Sequence, residues 1–347
     1  MPTRRAHDPR PNIPVEPWGI AGRTERGLAM GMPDFLIVGA PKAGSTALHA
    51  ALVRHPDLFL TTPKEPKYFL TADAAPDRAT QRGPGDAHSA QEWVWRRRDY
   101  EALLDAAPPG RLKGESTPFY LWSTEAHRRI RAAAPDVKMI AVVRDPVERA
   151  YSNWSHLWAD GLEPEADFLT AWRAAPARAA AGWAPFWRYG ELGRYGEQLQ
   201  HLTSVFPREQ VHVLRYRDVL DEPQRTLDAI CAFLGVRQGV LDSIPSSNVG
   251  RWADDSPRNH RLRRVVRAGA SAGAHLPPQV WRGVERRLLG HLQRGAGARP
   301  RLAPAARREV LEYYRDDVAL LEQTTGDSYR DWFGDGGTDV YRVQKPR

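Results

Sequence analysis

A lysine, a serine and a threonine lie close together in GAPKAGST, at residues 39–46. An apolar run at 35–38 comes before this segment, and a stretch with helical periodicity follows it. A strand, a loop and a helix in this order point backbone N–H groups and the positive helix end at the loop's contents. The segment therefore predicts a site for a phosphate-like anion. The predicted contacts are Pro41, Lys42, Ala43, Gly44, Ser45 and Thr46.

The lysine of this loop does not occupy the position that lysine takes in the phosphate loop of a nucleoside-triphosphate site. In the Walker A pattern G-x-x-x-x-G-K-[ST], the lysine directly follows the second glycine. Here Gly44 is followed by Ser45, and Lys42 lies two residues before the glycine. The loop thus has the features of an anion site with its cation displaced. An ordinary turn between a strand and a helix is the alternative interpretation of the glycines.

A second basic position follows VKMIAVV, the strongest strand pattern in the chain, at 137–143. Arg144 stands at its carboxyl end, which is the edge where ligands bind in open α/β sheets. A P-loop NTPase normally places an aspartate there to help hold magnesium, so a fixed positive charge favours a second phosphate. Ser152 lies roughly two helical turns further on, on the same face. Alternatively, Arg144 pairs with a carboxylate, and Asp145 with Pro146 simply begins a helix.

The charge of the chain favours anionic ligands. The formal net charge is +8, and only six of the 50 lysines and arginines are lysines. Because arginine is the usual cation here, it is informative that Lys42, Lys64 and Lys67 fall in the anion loop and in the next loop. No recognition motif accompanies the basic residues, so we do not expect nucleic-acid binding. The single cysteine, Cys231, excludes an internal disulfide and a thiolate metal cluster.

Strand-like and helix-like patterns alternate along the chain. The predicted strands are 35–38, 58–60, 111–114, 137–143 and 211–214. The predicted helices are 45–54, 100–106, 123–133, 146–158, 165–178, 190–203, 224–234 and 307–324. The alternation predicts an α/β fold, a three-layer sandwich of the P-loop type. Its central parallel sheet has about five strands and is flanked by helices on both faces.

Taken together, the two motifs resemble those of the sulfotransferases that use 3'-phosphoadenosine 5'-phosphosulfate (PAPS). In that family P-K-x-G-[ST]-[ST] binds the 5'-phosphosulfate and R-D-P-x-x-R-x-x-S binds the 3'-phosphate. Residues 41–46 and 144–152 match these patterns in order and in spacing. The resemblance implies that Lys42 lies against the bridging oxygen, where charge builds up as the sulfuryl group leaves. It also implies adenosine 3',5'-bisphosphate as the product and no metal.

The next segment is similar to the heparan-sulfate, Golgi-type branch of the family. Those enzymes carry a catalytic glutamate in an E-x-H-F-F-like segment, and KEPKYF at 64–69 occupies that place. The resemblance implies that Glu65 is the catalytic base, because a carboxylate can take the proton as the alcohol oxygen attacks sulfur. Lys67 replaces the family's histidine and is assigned a helper role. A structural ion pair with its lysines is the alternative for Glu65.

Further segments imply contacts with the acceptor and the donor. GESTPFY at 114–120 resembles the E-K-[ST]-P-x-Y segment that lines the family's acceptor cleft, and the loop at 248–251 resembles one that closes over the cofactor. Tryptophans near the cleft could stack on a sugar, although core packing is their commoner role. The implied acceptor contacts are Lys64, Glu115, Thr117, Trp122 and Trp154. The implied cofactor contacts beyond the anion loop are Arg144, Ser152, Gly250 and Arg251.

The domain organisation follows from composition and from the extent of the resemblance. We predict a flexible leader at 1–32, one sulfotransferase domain at 33–335 and a tail at 336–347, with a helical insertion at 255–305. The chain has neither a secretory apolar region nor an apolar run long enough to span a membrane. We therefore expect a cytoplasmic location and no membrane partner. The arginine bias is typical of a GC-rich bacterial genome, and we expect a role in secondary metabolism.

The predicted function is sulfuryl transfer from PAPS to a hydroxyl of a small-molecule or glycosidic acceptor, in a single in-line step. A P-loop kinase or NTPase is one alternative, and it requires magnesium and ATP. A non-catalytic binder of anionic polysaccharide is another. The identity of the acceptor, O- versus N-sulfation and the oligomeric state remain open at the level of sequence.

Overall fold

A five-stranded parallel sheet forms the centre of the protein, with strand order β2-β3-β1-β4-β5. The computed structural model describes residues 31–76, 83, 93–245, 263 and 300–334. The strands are β1 Phe35–Gly39, β2 Leu58–Leu60, β3 Leu112–Ser116, β4 Lys138–Val143 and β5 Val211–Arg215. The predicted parallel α/β fold is thus confirmed.

Helices join the strands and cover the sheet. The helices of the described part are α1 Ser45–Leu52, α2 Tyr68–Thr71, α3 Arg97–Asp105, α4 Thr124–Ala133, α5 Pro146–Ala159, α6 Phe168–Ala180, α7 Tyr195–Val205, α8 Tyr216–Asp221, α9 Pro223–Leu234 and α10 Pro304–Thr325. The short helices α2 and α8 were not predicted, because four or six residues are too few to show a helical period. Helix α7 begins later than predicted, since a 3₁₀ turn occupies Glu191–Gly193.

The register of the sheet brings the strand ends to one edge. Strand β1 lies between β3 and β4, and Ile37 pairs with Ser116 and with Ile140. Strand β4 is buried at every residue after Lys138, as its continuous apolar sequence requires between two helical layers. Because all five strands are parallel, the loops that follow them emerge at the same edge.

The start of α5 is determined by its first residues. Asp145 caps the helix, because its Oδ1 accepts hydrogen bonds from Val147 N at 2.9 Å and from Glu148 N at 3.3 Å. Pro146 occupies the first helical position, where a missing N–H is tolerated. Helix α5 therefore begins directly at the end of β4, and Arg144 is held at the junction.

The terminal helix α10 packs against the beginning of α7. The carboxylate of Asp317 accepts hydrogen bonds from Gly196 N and Glu197 N, each at 3.0 Å. A carboxylate at a helix N-terminus satisfies backbone donors that have no intrahelical partner. Tyr314 donates to the carbonyl oxygen of Tyr189 at 3.1 Å. These contacts attach the C-terminal part of the chain to the sheet domain.

Several predicted segments lie outside the described residues. The leader is described only at residues 31 and 32, and the tail at 336–347 is not described. The predicted insertion at 255–305 is described only at residue 263 and from residue 300 onward. Among the helices that are described, none combines the length and the apolar character needed to cross a bilayer.

Candidate active site

The anion loop between β1 and α1 has a backbone shape that needs a glycine. Gly44 caps α1 in the left-handed region, with φ of 94°. A Cβ atom at this position would lie 2.8 Å from two ring carbons of Tyr216, so a side chain would displace this ring as well as strain the backbone. Ser45 and Thr46 follow in the first turn of the helix. The loop thus presents the helix N-terminus at the strand edge.

Arg144 brings the end of β4 into contact with this loop. Its side chain is 2 % exposed, and its Nη1 donates to the carbonyl oxygen of Lys42 at 3.3 Å. The guanidinium carbon lies 4.7 Å from the ring centroid of Tyr216, which supports it by a cation–π contact. The carboxylate pairing of the alternative interpretation is also present, since Glu148 Oε2 lies 3.7 Å from Arg144 Nη2. Ser152 is partly exposed, two turns along α5.

A buried ion pair lies behind Arg144. Asp145 is 1 % exposed, and its Oδ2 accepts a hydrogen bond from Arg307 Nη2 at 2.5 Å. Burial raises the pKa of Asp145 to about 6, although Arg307 opposes the shift. Arg307 also donates to the carbonyl oxygen of Trp332 at 2.6 Å. The terminal helix α10 thus supports the residue next to the proposed phosphate contact.

The segment after β2 carries Glu65 and Lys67 in unusual backbone conformations. Among the described non-glycine residues, five have positive φ, and three of these are Lys42 at 66°, Glu65 at 63° and Lys67 at 63°. Such conformations cost free energy and occur most often at functional sites. Glu65 is 5 % exposed and forms an ion pair with Lys64. Lys67 is buried, with its Nζ 5.2 Å from the ring centroid of Trp93.

Two predicted acceptor contacts, Glu115 and Thr117, are placed differently from the prediction. Both side chains are fully buried, so neither can touch an acceptor in this structure. Alternate residues of an extended chain point to the same face, and this face is directed at Tyr100 and Tyr120 instead of the cleft. Burial raises the pKa of Glu115 to about 7, although hydrogen bonds from Tyr120, Thr117 and Tyr100 oppose the shift.

The two predicted tryptophan contacts differ in their surroundings. Trp122 is partly exposed, and the guanidinium carbon of Arg188 lies 5.4 Å from its ring centroid. Trp154 is 2 % exposed and stacks on Tyr151 and Trp158, with ring centroids 5.5 and 6.1 Å away. Trp154 is therefore a core residue in this structure, which corrects its assignment as an acceptor contact. Gly250 and Arg251 lie outside the described residues.

His49 belongs to the site but was not found from the sequence. It lies one turn after Ser45 on α1, and its Nδ1 is 2.8 Å from the Oγ of Ser116 at the end of β3. Burial lowers the pKa of His49 to about 4, and the charge of Lys64 lowers it further while Glu65 opposes the shift. A neutral imidazole thus lies near the proposed base. Its position one helical turn from the anion loop was the available signal.

The fold and these contacts define an α/β enzyme with an anion loop and a basic strand end. The sulfotransferase family model matches residues 33–238, and the chain belongs to this family. Human heparan sulfate glucosamine 3-O-sulfotransferase 6 is 30 % identical over 298 residues, which cover 86 % of this chain and 73 % of that protein. Human heparan sulfate glucosamine 3-O-sulfotransferase 3B1 is 27 % identical, over 80 % of this chain and 65 % of that protein.

A solved structure shares the fold. The crystal structure of a sulfotransferase from Alicyclobacillus acidocaldarius superposes with a TM-score of 0.67 at 25 % identity, and the match covers 87 % of this chain and 99 % of that one. The predicted membership of the sulfotransferase family, with similarity to the heparan-sulfate branch, is therefore confirmed. The protein is therefore a sulfotransferase. Its family membership argues against the alternative predictions of a kinase, an NTPase or a non-catalytic binder.

Proposed function

We propose that this sulfotransferase uses PAPS to sulfate a hydroxyl group of a glycosidic or other small-molecule acceptor, with Glu65 as the base. The observation that carries the proposal is that Lys42 and Arg144, which are in contact, and the buried Glu65 all lie in segments that follow strands at one edge of the sheet. Arg144 reaches Lys42 across β1 and β4, and Glu65 lies in the loop after β2. A donor with two separated anionic groups and an acceptor hydroxyl both fit this arrangement.

The residues present fit the two ends of PAPS. Lys42, Ser45 and Thr46, together with the N–H groups at the start of α1, would hold the phosphosulfate. Arg144 and Ser152 would hold the 3'-phosphate. Two observations support this division. Gly44 lets the ring of Tyr216 pack directly against the loop, and this ring supports the guanidinium of Arg144 beside the loop.

The proposed chemistry is a single in-line transfer. The donor supplies the sulfuryl group when it is bound. Glu65 accepts the proton of the acceptor hydroxyl while the new oxygen–sulfur bond forms and the sulfur–oxygen bond to phosphate breaks. Lys42 stabilises the negative charge that develops on the departing phosphate oxygen. Lys67, held near Trp93, supplies a further positive charge beside Glu65.

The relatives support a sugar hydroxyl as the acceptor. Both human relatives are named for transfer to the 3-O position of a heparan sulfate glucosamine. Trp122 is partly exposed and carries Arg188 close to its ring, which suits a sugar face with an anionic substituent. The cytoplasmic location, the bacterial origin and the role in secondary metabolism stay predictions.

In the first experiment, the purified protein is incubated with labelled PAPS and a panel of hydroxylated acceptors. Mass spectrometry then detects acceptors that have gained one sulfate. A parallel reaction with ATP and magnesium serves as the kinase control. Calorimetry with adenosine 3',5'-bisphosphate tests the donor site separately. We expect sulfated product and saturable heat. If this nucleotide produces no heat with folded protein, the donor assignment is wrong.

The second experiment tests the base. Glu65→Gln should lower kcat by about 10²- to 10⁴-fold, because general base catalysis typically contributes that much. The affinity for adenosine 3',5'-bisphosphate should not change. Glu125→Gln is the matched control, since Glu125 is an exposed glutamate on α4 that pairs with Arg128. Normal turnover in Glu65→Gln would remove this residue from the mechanism.

A further inference from the structure

The segment that carries Glu65 is anchored to one buried carboxylate by two hydroxyl groups. We call residues 65–69 the base segment. Thr117 and Tyr120 each accept a hydrogen bond from a backbone N–H of this segment. Each of the two hydroxyls in turn donates to Glu115, which is fully buried.

The first of these relays holds the middle of the segment. Lys67 N donates to Thr117 Oγ1 at 3.3 Å, and Thr117 Oγ1 donates to Glu115 Oε2 at 2.8 Å. Lys67 itself has positive φ, as does Glu65 two residues earlier. A strained conformation persists only where its surroundings hold it in place. The hydrogen bond from Lys67 N therefore holds the part of the segment whose backbone is strained.

The second relay holds the end of the segment. Phe69 N donates to the hydroxyl of Tyr120 at 3.3 Å, and this hydroxyl donates to Glu115 Oε1 at 2.7 Å. The rings of Phe69 and Tyr120 also pack edge to face, with centroids 5.6 Å apart. The two relays therefore use the two different oxygens of one carboxylate.

We propose that Glu115 is a positioning residue for sulfuryl transfer, which orients the base segment through Thr117 and Tyr120. The inference rests on the proposed role of Glu65. It replaces the expected role of Glu115 as an acceptor contact.

The chemistry of a carboxylate explains why glutamate suits this position. An ionised carboxylate only accepts hydrogen bonds, so each neighbouring hydroxyl must direct its proton towards it. The hydroxyl oxygen then has its lone pairs available for the backbone N–H of the base segment. A glutamine has the same shape, but its NH₂ group donates. One hydroxyl would then have to accept from the side chain, and the direction of that relay would be lost.

A third hydroxyl provides an internal control. Tyr100 on α3 donates to the same oxygen, Glu115 Oε1, at 3.3 Å, and it is as fully buried as Tyr120. The hydrogen bonds found for its hydroxyl do not reach the backbone of the base segment. Tyr100 thus shares the environment and the partner of Tyr120 but does not take part in a relay.

Protonation of Glu115 should have the same effect as the glutamine. The pKa of this carboxyl is raised to about 7 by burial, and the negative charge of Glu65 adds to the shift. Tyr100 and Tyr120 remain neutral beside it, since burial raises the pKa of both hydroxyls well above the ordinary value. Below about pH 7 one carboxyl oxygen becomes a donor and one relay is reversed. The rate should therefore depend on the ionisation of Glu115.

The experiment compares four variants in the full-length protein: Thr117→Val, Tyr120→Phe, Glu115→Gln and Tyr100→Phe. The first three interrupt or reverse a relay, and each should lower kcat by roughly 10- to 100-fold, since a misplaced catalytic group can cost that much. The Kd for adenosine 3',5'-bisphosphate should stay the same, because the proposed donor contacts lie in the loop after β1, at the start of α1, at the end of β4 and on α5. Well above pH 7, where Glu115 is ionised in both proteins, Tyr100→Phe should leave kcat unchanged. Wild-type kcat should also fall as the pH is lowered through about 7, whereas Glu115→Gln should lack this step.

Several results would overturn the proposal. One is a kcat in Thr117→Val and Tyr120→Phe equal to that of wild type. Another is an equal loss in Tyr100→Phe and Tyr120→Phe, which would indicate general packing. A loss of nucleotide affinity together with kcat would indicate a global disturbance. If Glu65→Gln is inactive while the relay variants are normal, only the positioning role fails. If Glu65→Gln itself is normal, the proposed function fails first.

Discussion

The two halves of the active-site edge each contain a buried carboxyl group, but the partners of the two carboxyl groups differ. In the donor half, formed by the loop after β1 and the start of α5, Asp145 is paired with the guanidinium of Arg307. In the acceptor half, formed by the base segment and the end of β3, Glu115 is surrounded by three hydroxyl donors. Burial raises the pKa of the two carboxyls to about 6 and about 7, respectively.

The difference matches the task that we propose for each half. A bound bisphosphate needs positive charge, and Coulomb attraction acts over several ångströms with little dependence on angle. A proton transfer needs a donor and an acceptor within hydrogen-bonding distance and in line, which depends strongly on geometry. The cations Lys42 and Arg144 suit the first requirement, and a directed network of hydroxyls suits the second. Four predictions test whether this division holds.

The largest effect is expected from breaking the ion pair of the donor half. Arg307→Met leaves Asp145 buried without its cation, which should lower the free energy of unfolding by about 3–5 kcal/mol. Urea unfolding followed by tryptophan fluorescence measures the loss. The double variant Asp145→Asn/Arg307→Met should recover part of it, because asparagine still caps α5 without a buried charge.

A matched control for Arg307→Met lies on the same helix. Arg315 is exposed and pairs with Glu312 one turn away. Arg315→Met should change the free energy of unfolding far less than Arg307→Met does, because water and salt screen an exposed ion pair. Equal losses in the two methionine variants would show that the ion pair with Asp145 has no special importance for the donor half.

The second prediction concerns the cation of the anion loop. Lys42→Ala should lower kcat by about 10²- to 10³-fold, the usual cost of losing one group that stabilises developing charge. The measurement is the initial rate of sulfation at saturating acceptor. Lys113→Ala is the control, because Lys113 lies towards the opposite end of β3 and faces Asp105 at 3.6 Å. A rate for Lys42→Ala close to that of the control would contradict the donor assignment.

The third prediction separates the two buried carboxyls by pH. The folded-state pKa of Glu115 is about 7 against an ordinary 4.5, so the folded protein binds more protons than the unfolded chain between these values. The contribution of this group to stability therefore declines as the pH rises from 4.5 to 7. Glu115→Gln lacks this titrating group, so its free energy of unfolding should not show the decline. Relative to wild type, its stability should rise by up to about 3 kcal/mol as the pH rises from 4.5 to 7.

Asp145→Asn should show the same sign in a lower window. The pKa of Asp145 is about 6 against an ordinary 3.8, so the relative gain should be complete near pH 6. Urea unfolding between about pH 4 and about pH 8 measures the free energy of unfolding of both variants and of wild type. The comparison between the halves fails if the relative stability of Glu115→Gln no longer changes above pH 6.

The smallest effect is expected at the glycine of the anion loop. Gly44→Ala should raise the Kd for adenosine 3',5'-bisphosphate by about tenfold, because a Cβ atom both strains the backbone and displaces Tyr216 from beneath Arg144. Gly235→Ala is the control. Its φ is also positive, at 80°, but no atom lies within 4 Å of the added Cβ. Gly235→Ala should reduce stability without changing the Kd, and an equal change in Kd would contradict the role of Gly44.

The sheet, the anion loop and the position of Arg144 could be predicted from local sequence patterns. These features depend on residues that are close together in the chain, and strand and helix periods place such residues without reference to the rest of the fold. The strands at β1, β2 and β4 were predicted to within one residue. The predicted helix at 123–133 is observed as α4, and Ser123 caps it by accepting a hydrogen bond from Ala126 N at 3.1 Å.

The orientation of the other polar and aromatic residues could not be predicted, because it depends on contacts between distant parts of the chain. Glu115 and Thr117 turned inward because their partners Tyr100 and Lys67 approach from other elements of the fold. Arg307 and Asp145 are 162 positions apart in the chain. A local sequence pattern cannot predict a contact over such a separation. Burial and hydrogen-bond direction are properties of the packed environment, so the motif predicts that a residue is present but not what surrounds it.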